Sequence, residues 1–258
     1  MSRHGGGAAP RPSEPAAQKL RLRYAKRGRL RFASHRDVAR AFERALRAAG
    51  VPMAYSQGFS PHPRVSWIGA APTGAASEAE YVEIQLVRPL DPQLVRRELD
   101  AALPEGLDVL EAVQARGGSL AERIDASRWR IELPGVDHGE LTAAVAELLT
   151  RDHVLVERLG KDGVRTIDTR AALISLSVEE STQSCGILVT VVRQVTPAVR
   201  PDDVLSALFV VAGLKAAAPA RACREAQGRL DDEGELVDPL SPDRAGDRPA
   251  VGPIGQGA

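Results

Sequence analysis

From Leu20 the chain alternates, with Leu20, Leu22 and Tyr24 set against Lys19, Arg21 and Arg23. That period of two predicts a strand with one apolar and one basic face. Lys26-Arg27-Gly28 reads as a turn, after which Leu30 and Phe32 resume the alternation. Ser34 followed by Asp37 resembles a capping box and starts a helix that runs to about Ala49 and stops at Gly50. Its apolar positions Val38, Phe42, Ala45, Leu46 and Ala49 keep helical spacing, and Arg36, Arg40, Arg44 and Arg47 fall on the opposite side. Residues 51–75 are irregular apart from a short Val65–Ile68 strand. A strand over Glu80–Val87, a helix over Asp91–Leu103 and a strand over Leu107–Val113 follow.

The order strand, helix, strand, strand, helix, strand recurs downstream. Strands are predicted over Trp129–Leu133, His153–Leu159, Leu173–Val178 and Ile187–Gln194, with helices over Glu140–Thr150 and from Pro201 to about Val211. The expected fold is α+β, built from two tandem ferredoxin-like (βαββαβ) domains over residues 19–126 and 127–218. The last strand of the second copy is not visible in the pattern, and no close sequence repeat links the copies. Residues 1–18, rich in Gly, Ala, Pro, Ser and Arg, read as a disordered arm. Residues 219–258 read as an acidic, disordered tail carrying Asp231, Asp232, Glu233, Glu235, Asp238, Asp243 and Asp247.

Composition sharpens this picture in three ways. Aromatic residues make up 3% of the 258, so the cores must be built from Leu, Val, Ile and Ala. Formal net charge is zero, which excludes a wholly basic coat, yet Lys19 to Arg64 holds twelve Lys or Arg opposed by Asp37 and Glu43. Such segregation is the footprint of a polyanion site; a solvated face in an arginine-rich chain gives the same pattern. The two cysteines, Cys185 and Cys223, are too few for a disulfide scaffold, a cysteine zinc site or an iron–sulfur cluster. No apolar run approaches a membrane span, and the N-terminus lacks a signal-peptide core, so a cytoplasmic protein without membrane contact is expected.

His35, where a strand passes into a helix N-terminus, could act as a general acid or base on a phosphodiester; a surface histidine beside a cap is the commoner reading of such a position. In Ser56–Arg64, Pro61 and Pro63 stiffen the backbone around His62, and Gly58 permits a tight turn or a close approach. Tyr55, Phe59 and Trp67 bracket this loop, either as stacking platforms for bases or as local core. The loop is expected to be the functional centre, beside His35 at one edge of the first sheet. The bland alternative is a rigid turn with Phe59 plugged into the core. No phosphate loop, dinucleotide fingerprint or Gly-x-Ser-x-Gly is present, and His4, His35, His62, His138 and His153 show no close metal-ligand spacing. His138 and His153 read as structural, Cys185 as an apolar filler, and Cys223 as exposed and adventitiously reactive. No cofactor or metal is expected.

Lys26-Arg27-Gly28-Arg29-Leu30-Arg31-Phe32-Ala33-Ser34-His35-Arg36-Asp37, together with Glu43–Leu46, Ala54–Arg64, Gly74 and Glu78–Tyr81, resembles the radical SAM-linked domain family of unknown function, in its stand-alone actinobacterial type. The resemblance covers roughly residues 19 to 215, and Gly-Phe-Ser-Pro-His-Pro-Arg is its specific part. It implies a radical SAM enzyme as a partner in trans, since this chain has no Cys-x3-Cys-x2-Cys. A weaker resemblance, to RAMP-type endoribonucleases that process CRISPR transcripts, rests on the expected fold alone.

Three functional expectations follow. The first is a non-catalytic RNA-binding accessory that presents tRNA or rRNA to the radical SAM enzyme. Its contact residues would be Arg21, Arg23, Arg29, Arg31, Arg36, Arg40, Arg44, Arg47, Tyr55, Phe59, His62 and Arg64. The second is a metal-independent endoribonuclease in which His35 assists attack of a ribose 2′-OH, with Arg36 and the helix terminus stabilising the developing charge. The third is a protein–protein adaptor whose arginine face docks an acidic partner, with the acidic tail competing for it.

Overall fold

The structure is a computed structural model and describes residues 14–160, 163–181 and 184–244. Residues 1–13 of the expected arm and 245–258 of the expected tail lie outside the described residues. The chain forms a mixed α+β fold with eleven strands and six helices among the described residues. The first half runs β1 (Gln18–Lys26), a 3-10 turn (Gly28–Phe32), α1 (His35–Ala48), β2 (Val65–Ile68), β3 (Ala76–Leu86), α2 (Pro92–Ala102) and β4 (Leu107–Gln114). The second runs β5 (Ala126–Pro134), α3 (His138–Leu149), β6 (Leu155–Gly160), β7 (Gly163–Asp168), α4 (Thr169–Ala172), β8 (Leu173–Glu179), β9 (Cys185–Arg193), α5 (Pro201–Ala212) and β10 (Arg221–Leu230). β11 (Leu236–Val237) and α6 (Ser241–Arg244) follow. The alternation expected at Leu30 and Phe32 is in fact the 3-10 turn, so Phe32 stays on the surface.

Nine strands form one sheet in the order β4-β1-β3-β10-β5-β9-β8, with β2 also on β3 and β11 on β10. The pairings are antiparallel except β3–β10. β2 and β10 divide β3 between them: β2 pairs along Tyr81–Ile84 and β10 along Ala76–Ser77. β6 and β7 form a separate two-stranded hairpin. One core lies under α1 and α2 (Leu20, Leu22, Tyr24, Phe42, Leu46, Ile84, Leu99), and another under α3 and α5 (Trp129, Ile131, Leu141, Leu188, Leu208).

One expectation needs correction here. The segment after Pro219 is not a disordered tail over its described length. β10 sits inside the sheet between β3 and β5, parallel to β3 and antiparallel to β5. Alternation failed to reveal it because its side chains are mostly small or polar: Ala222, Cys223, Ala226 and Gly228, with Arg224 and Gln227 buried. Arg224 is accommodated by an ion pair to buried Glu80 and by lying 5.4 Å from the Trp129 ring centroid. A buried charge is tolerated when so paired.

Beyond β10 the chain folds back over the reverse face of the first half. Gly228 makes room for it: a Cβ there would stand 2.2 Å from the Val237 carbonyl oxygen, so a larger residue would push β11 away. Leu240 then packs with Tyr81, Val113, Leu120 and Ile124 in a third, smaller core.

Candidate nucleic-acid interface

α1 begins as its sequence requires. The Asp37 N–H donates to Ser34 Oγ at 3.3 Å, and the Ser34 N–H donates back to Asp37 Oδ2 at 3.3 Å, completing the box. The Ser34 hydroxyl also donates to Asp37 at 2.6 Å, and these hydrogen bonds hold the exposed Asp37 carboxyl below its ordinary pKa. Val38, Ala41, Phe42, Ala45 and Leu46 are buried against the sheet. Arg36, Arg40, Arg44 and Arg47 are exposed on the far side. Among the described residues none of these four forms a salt bridge, whereas Arg27, Arg128, Arg130, Arg158, Arg221, Arg224 and Arg244 all do.

Like charges three or four residues apart each cost a helix about 0.2–0.5 kcal/mol. Asp37 and Glu43 offset part of that cost. The remaining self-repulsion would be relieved by a polyanion lying along the helix.

Several expected contact residues fall elsewhere. Arg21 is not on a solvent face: it is 1% exposed and donates to Glu83, Asp243 and the Gly117 and Gly118 carbonyls. Arg23 projects on that same reverse face, near Glu111 and Asp238. Alternation along β1 separated a basic face correctly but could not show that the chain's own C-terminal segment covers it. Asp238 and Asp243, expected in a free acidic tail, are consumed there and are not available to shield α1.

Arg64 is also turned away. Val65 and Trp67 pack on the α1 side, so strand alternation sends Arg64 to the other face, where its Nη1 donates to Gln85 at 3.3 Å. Arg29 is exposed in the 3-10 turn. Arg31 places its guanidinium 4.5 Å from the Phe32 ring centroid, and both residues line an open cleft of about 680 Å³ between the two halves.

Ser56–Arg64 is the tip of a small hairpin. Tyr55 bridges Pro63, and the Ser56 N–H donates to the His62 carbonyl at 2.8 Å. The His62 N–H donates to Ser56 Oγ at 3.0 Å. Phe59 at the tip is 89% exposed, which overturns the core-plug alternative. Tyr55 and His62 line a shallow cleft of about 370 Å³ with Glu43, Arg47 and Gly50, at the C-terminal end of α1.

His35 is the first residue of α1, at the opposite end of a helix about 20 Å long. A site combining His35 and His62 is therefore not formed. The His35 ring meets Trp67 edge-on at 5.4 Å, and among the described residues it has no hydrogen-bond or ion-pair partner to orient it. Trp67 also packs on Phe42 at 5.2 Å and Tyr24 at 6.0 Å, which makes it part of the core margin rather than a free stacking platform.

The remaining titratable groups of interest lie away from α1. His138 is the first residue of α3, and His153 pairs with Asp168 at 2.6 Å. Cys223 is half-buried in β10, and burial, with Glu78 and Glu225 nearby, pushes its pKa up to about 11, the reverse of an activated thiol. Among the described residues no His, Cys, Asp and Glu group is placed to hold a metal ion, and no helix is long and apolar enough to cross a membrane.

Sequence reasoning missed Phe32, Glu80, Arg224 and the partner of Arg21. Phe32 was legible as an Arg-Phe pair before a cap. The others depend on pairings between distant parts of the chain, for which the sequence carries no local signal.

No curated protein matches the chain. Among solved structures, the first two RRM domains of the yeast poly(U)-binding protein Pub1 share 12% identity, with a TM-score of 0.23, over 80% of this chain and 98% of that one. DyPB from Rhodococcus jostii RHA1 shares 13%, with a TM-score of 0.22, over 76% of this chain and 84% of that one. Both scores are too low to bear on fold or function. The model of a bacterial family, DUF2344, described as "Uncharacterized protein conserved in bacteria", matches residues 19–201, and the chain belongs to that family.

Proposed function

We propose that this protein is an RNA-binding accessory, without a reaction of its own, that presents tRNA or rRNA to a separate radical SAM enzyme. The observation that carries the RNA-binding part is the α1 stripe: Arg36, Arg40, Arg44 and Arg47 stand exposed along one helix face and, among the described residues, form no salt bridge, whereas Arg27, Arg130, Arg158 and Arg224 do. Arginine in an unneutralised row suits phosphate oxygens, which accept two parallel N–H donors from one guanidinium. The radical SAM partner is supported by the family resemblance of Lys26–Asp37 and Ala54–Arg64. With only Cys185 and Cys223 in the chain, the cluster-binding cysteines would belong to that partner.

In this reading the scaffold is two ferredoxin-like units sharing one sheet. The support is the strand order within each half: β4-β1-β3-β2 and β10-β5-β9-β8, each the fourth, first, third and second main-sheet strand of its half. The second unit then reaches into β10, beyond the boundary at residue 218. The endoribonuclease reading gains nothing from the geometry, because among the described residues His35 has no hydrogen-bond or ion-pair partner to orient it and His62 lies at the other end of α1.

The test is crosslinking and sequencing of the RNA recovered with the tagged full-length protein, read beside its co-purifying proteins. The proposal expects enriched tRNA or rRNA segments and a radical SAM protein. Recovery of RNA no different from an untagged control would overturn it.

A further inference from the structure

Three of the four phenylalanines stand in solvent: Phe32 is 59% exposed, Phe59 89% and Phe209 56%, while Phe42 is buried. A soluble chain with so few aromatics ordinarily spends them inside. Two of the three flank α1. Phe32 ends the 3-10 turn just before the cap of α1, and Phe59 tips the hairpin that follows it. Tyr55, 44% exposed, lies between Phe59 and the C-terminal end of the helix, in the cleft that also holds Arg47. The arginine row, without a salt bridge among the described residues, is thus bracketed along the chain by exposed rings, Phe32 before α1 and Tyr55 and Phe59 after it.

We propose that this interface takes single-stranded rather than duplex RNA, with bases stacked on Phe32 at one end and on Tyr55 and Phe59 at the other, and with the α1 arginines on the phosphates between. The inference rests on the RNA-binding reading above and names its ligand class. Bases in a duplex are stacked on one another and leave no face for a protein ring, whereas the bases of a single strand can be splayed onto aromatic side chains. The rings are presented at little ordering cost. The hairpin beneath Phe59 is closed by the Ser56–His62 hydrogen bonds and stiffened by Pro61 and Pro63. Gly58, at φ +127°, supplies a backbone conformation that other residues rarely adopt. Arg31 lies over one face of the Phe32 ring, so a base would stack on the other face, with the guanidinium completing the sandwich.

The experiment compares a fluorescein-labelled single-stranded 12-mer RNA with the same sequence locked in a hairpin stem, by fluorescence anisotropy on the full chain. The inference expects at least a ten-fold preference for the single strand. Phe32→Ala and Phe59→Ala should each weaken single-strand binding by about five-fold or more, with the salt dependence unchanged because the phosphate contacts remain. On the parent protein, 2-aminopurine walked along the strand should report altered stacking at two separated positions, a reading independent of how the variants fold. Equal affinity for the two RNAs, with no 2-aminopurine response, overturns the single-strand inference and leaves RNA binding standing. Failure to bind either RNA overturns both.

Discussion

Arg21 and Asp243 lie 222 residues apart in the chain and meet in the interior, where Arg21 Nη1 donates to both carboxylate oxygens of Asp243 at 2.9 Å. Asp243 is fully buried and also accepts from Arg123 Nη1 and from the Arg116 N–H, each at 2.8 Å. The pair ties the last described helix to the first strand.

Removing Asp243 takes one of two carboxylates from buried Arg21, which keeps Glu83, and the paired carboxylate from Arg123. Breaking a buried pair costs about 3–5 kcal/mol, and the remaining Glu83 pair puts this loss at the lower end, about 3 kcal/mol. Asp243→Ala should therefore lower stability by about that much in urea unfolding. The double variant Arg21→Met with Asp243→Ala should recover part of the loss. An Asp243→Ala protein as stable as the parent would mean that the C-terminal segment does not hold the sheet.

Ending the chain after residue 218 removes β10 from between β3 and β5. It exposes two strand edges and uncovers Glu80 by taking away Arg224. Such a truncation should give aggregated protein without a cooperative melt. A soluble, cooperatively melting fragment would show that the two halves fold without their shared strand.

The sequence made the first half legible because its signals are local. Ser34 and Asp37 announce a cap, Val38 to Leu46 keep the helical period, and Leu20 to Tyr24 alternate. The second half yielded its helices and most strands for the same reason. β10 stayed hidden because a strand whose buried positions are Arg224, Gln227 and Gly228 has no apolar period to read. The site divided along the same line. Helical spacing placed Arg36, Arg40, Arg44 and Arg47 together correctly. Arg21, Arg23 and Arg64 were misplaced because alternation gives a side chain's face but not what covers that face.

Cys223 should resist modification. With its pKa pushed up to about 11, little thiolate exists near neutral pH, so iodoacetamide at pH 8 should label Cys223 slowly in the native state and readily in urea. Peptide mass analysis of timed samples reads the outcome. Rapid native labelling would contradict the placement of this residue within β10.

His153 is paired with Asp168 at the foot of the β6–β7 hairpin, and that hydrogen bond and charge raise its pKa above the ordinary 6.5. The pair's contribution is fully present below the unfolded value and is lost as pH rises through the folded one. An NMR titration should place the His153 midpoint above 6.5, with Asp168→Asn returning it towards that value. An unshifted midpoint in the parent would contradict the pair.

The claim that α1 binds RNA phosphates is tested most directly by the salt dependence of single-stranded RNA binding for the parent and for the Arg40→Glu, Arg44→Glu double variant. The parent should show log affinity falling linearly with log salt, with a slope of about 0.7 per phosphate contact. The double variant should bind far more weakly and with a shallower slope, while its circular dichroism and melting match the parent because both side chains are exposed. Parent and double variant with the same affinity and the same slope would contradict the account.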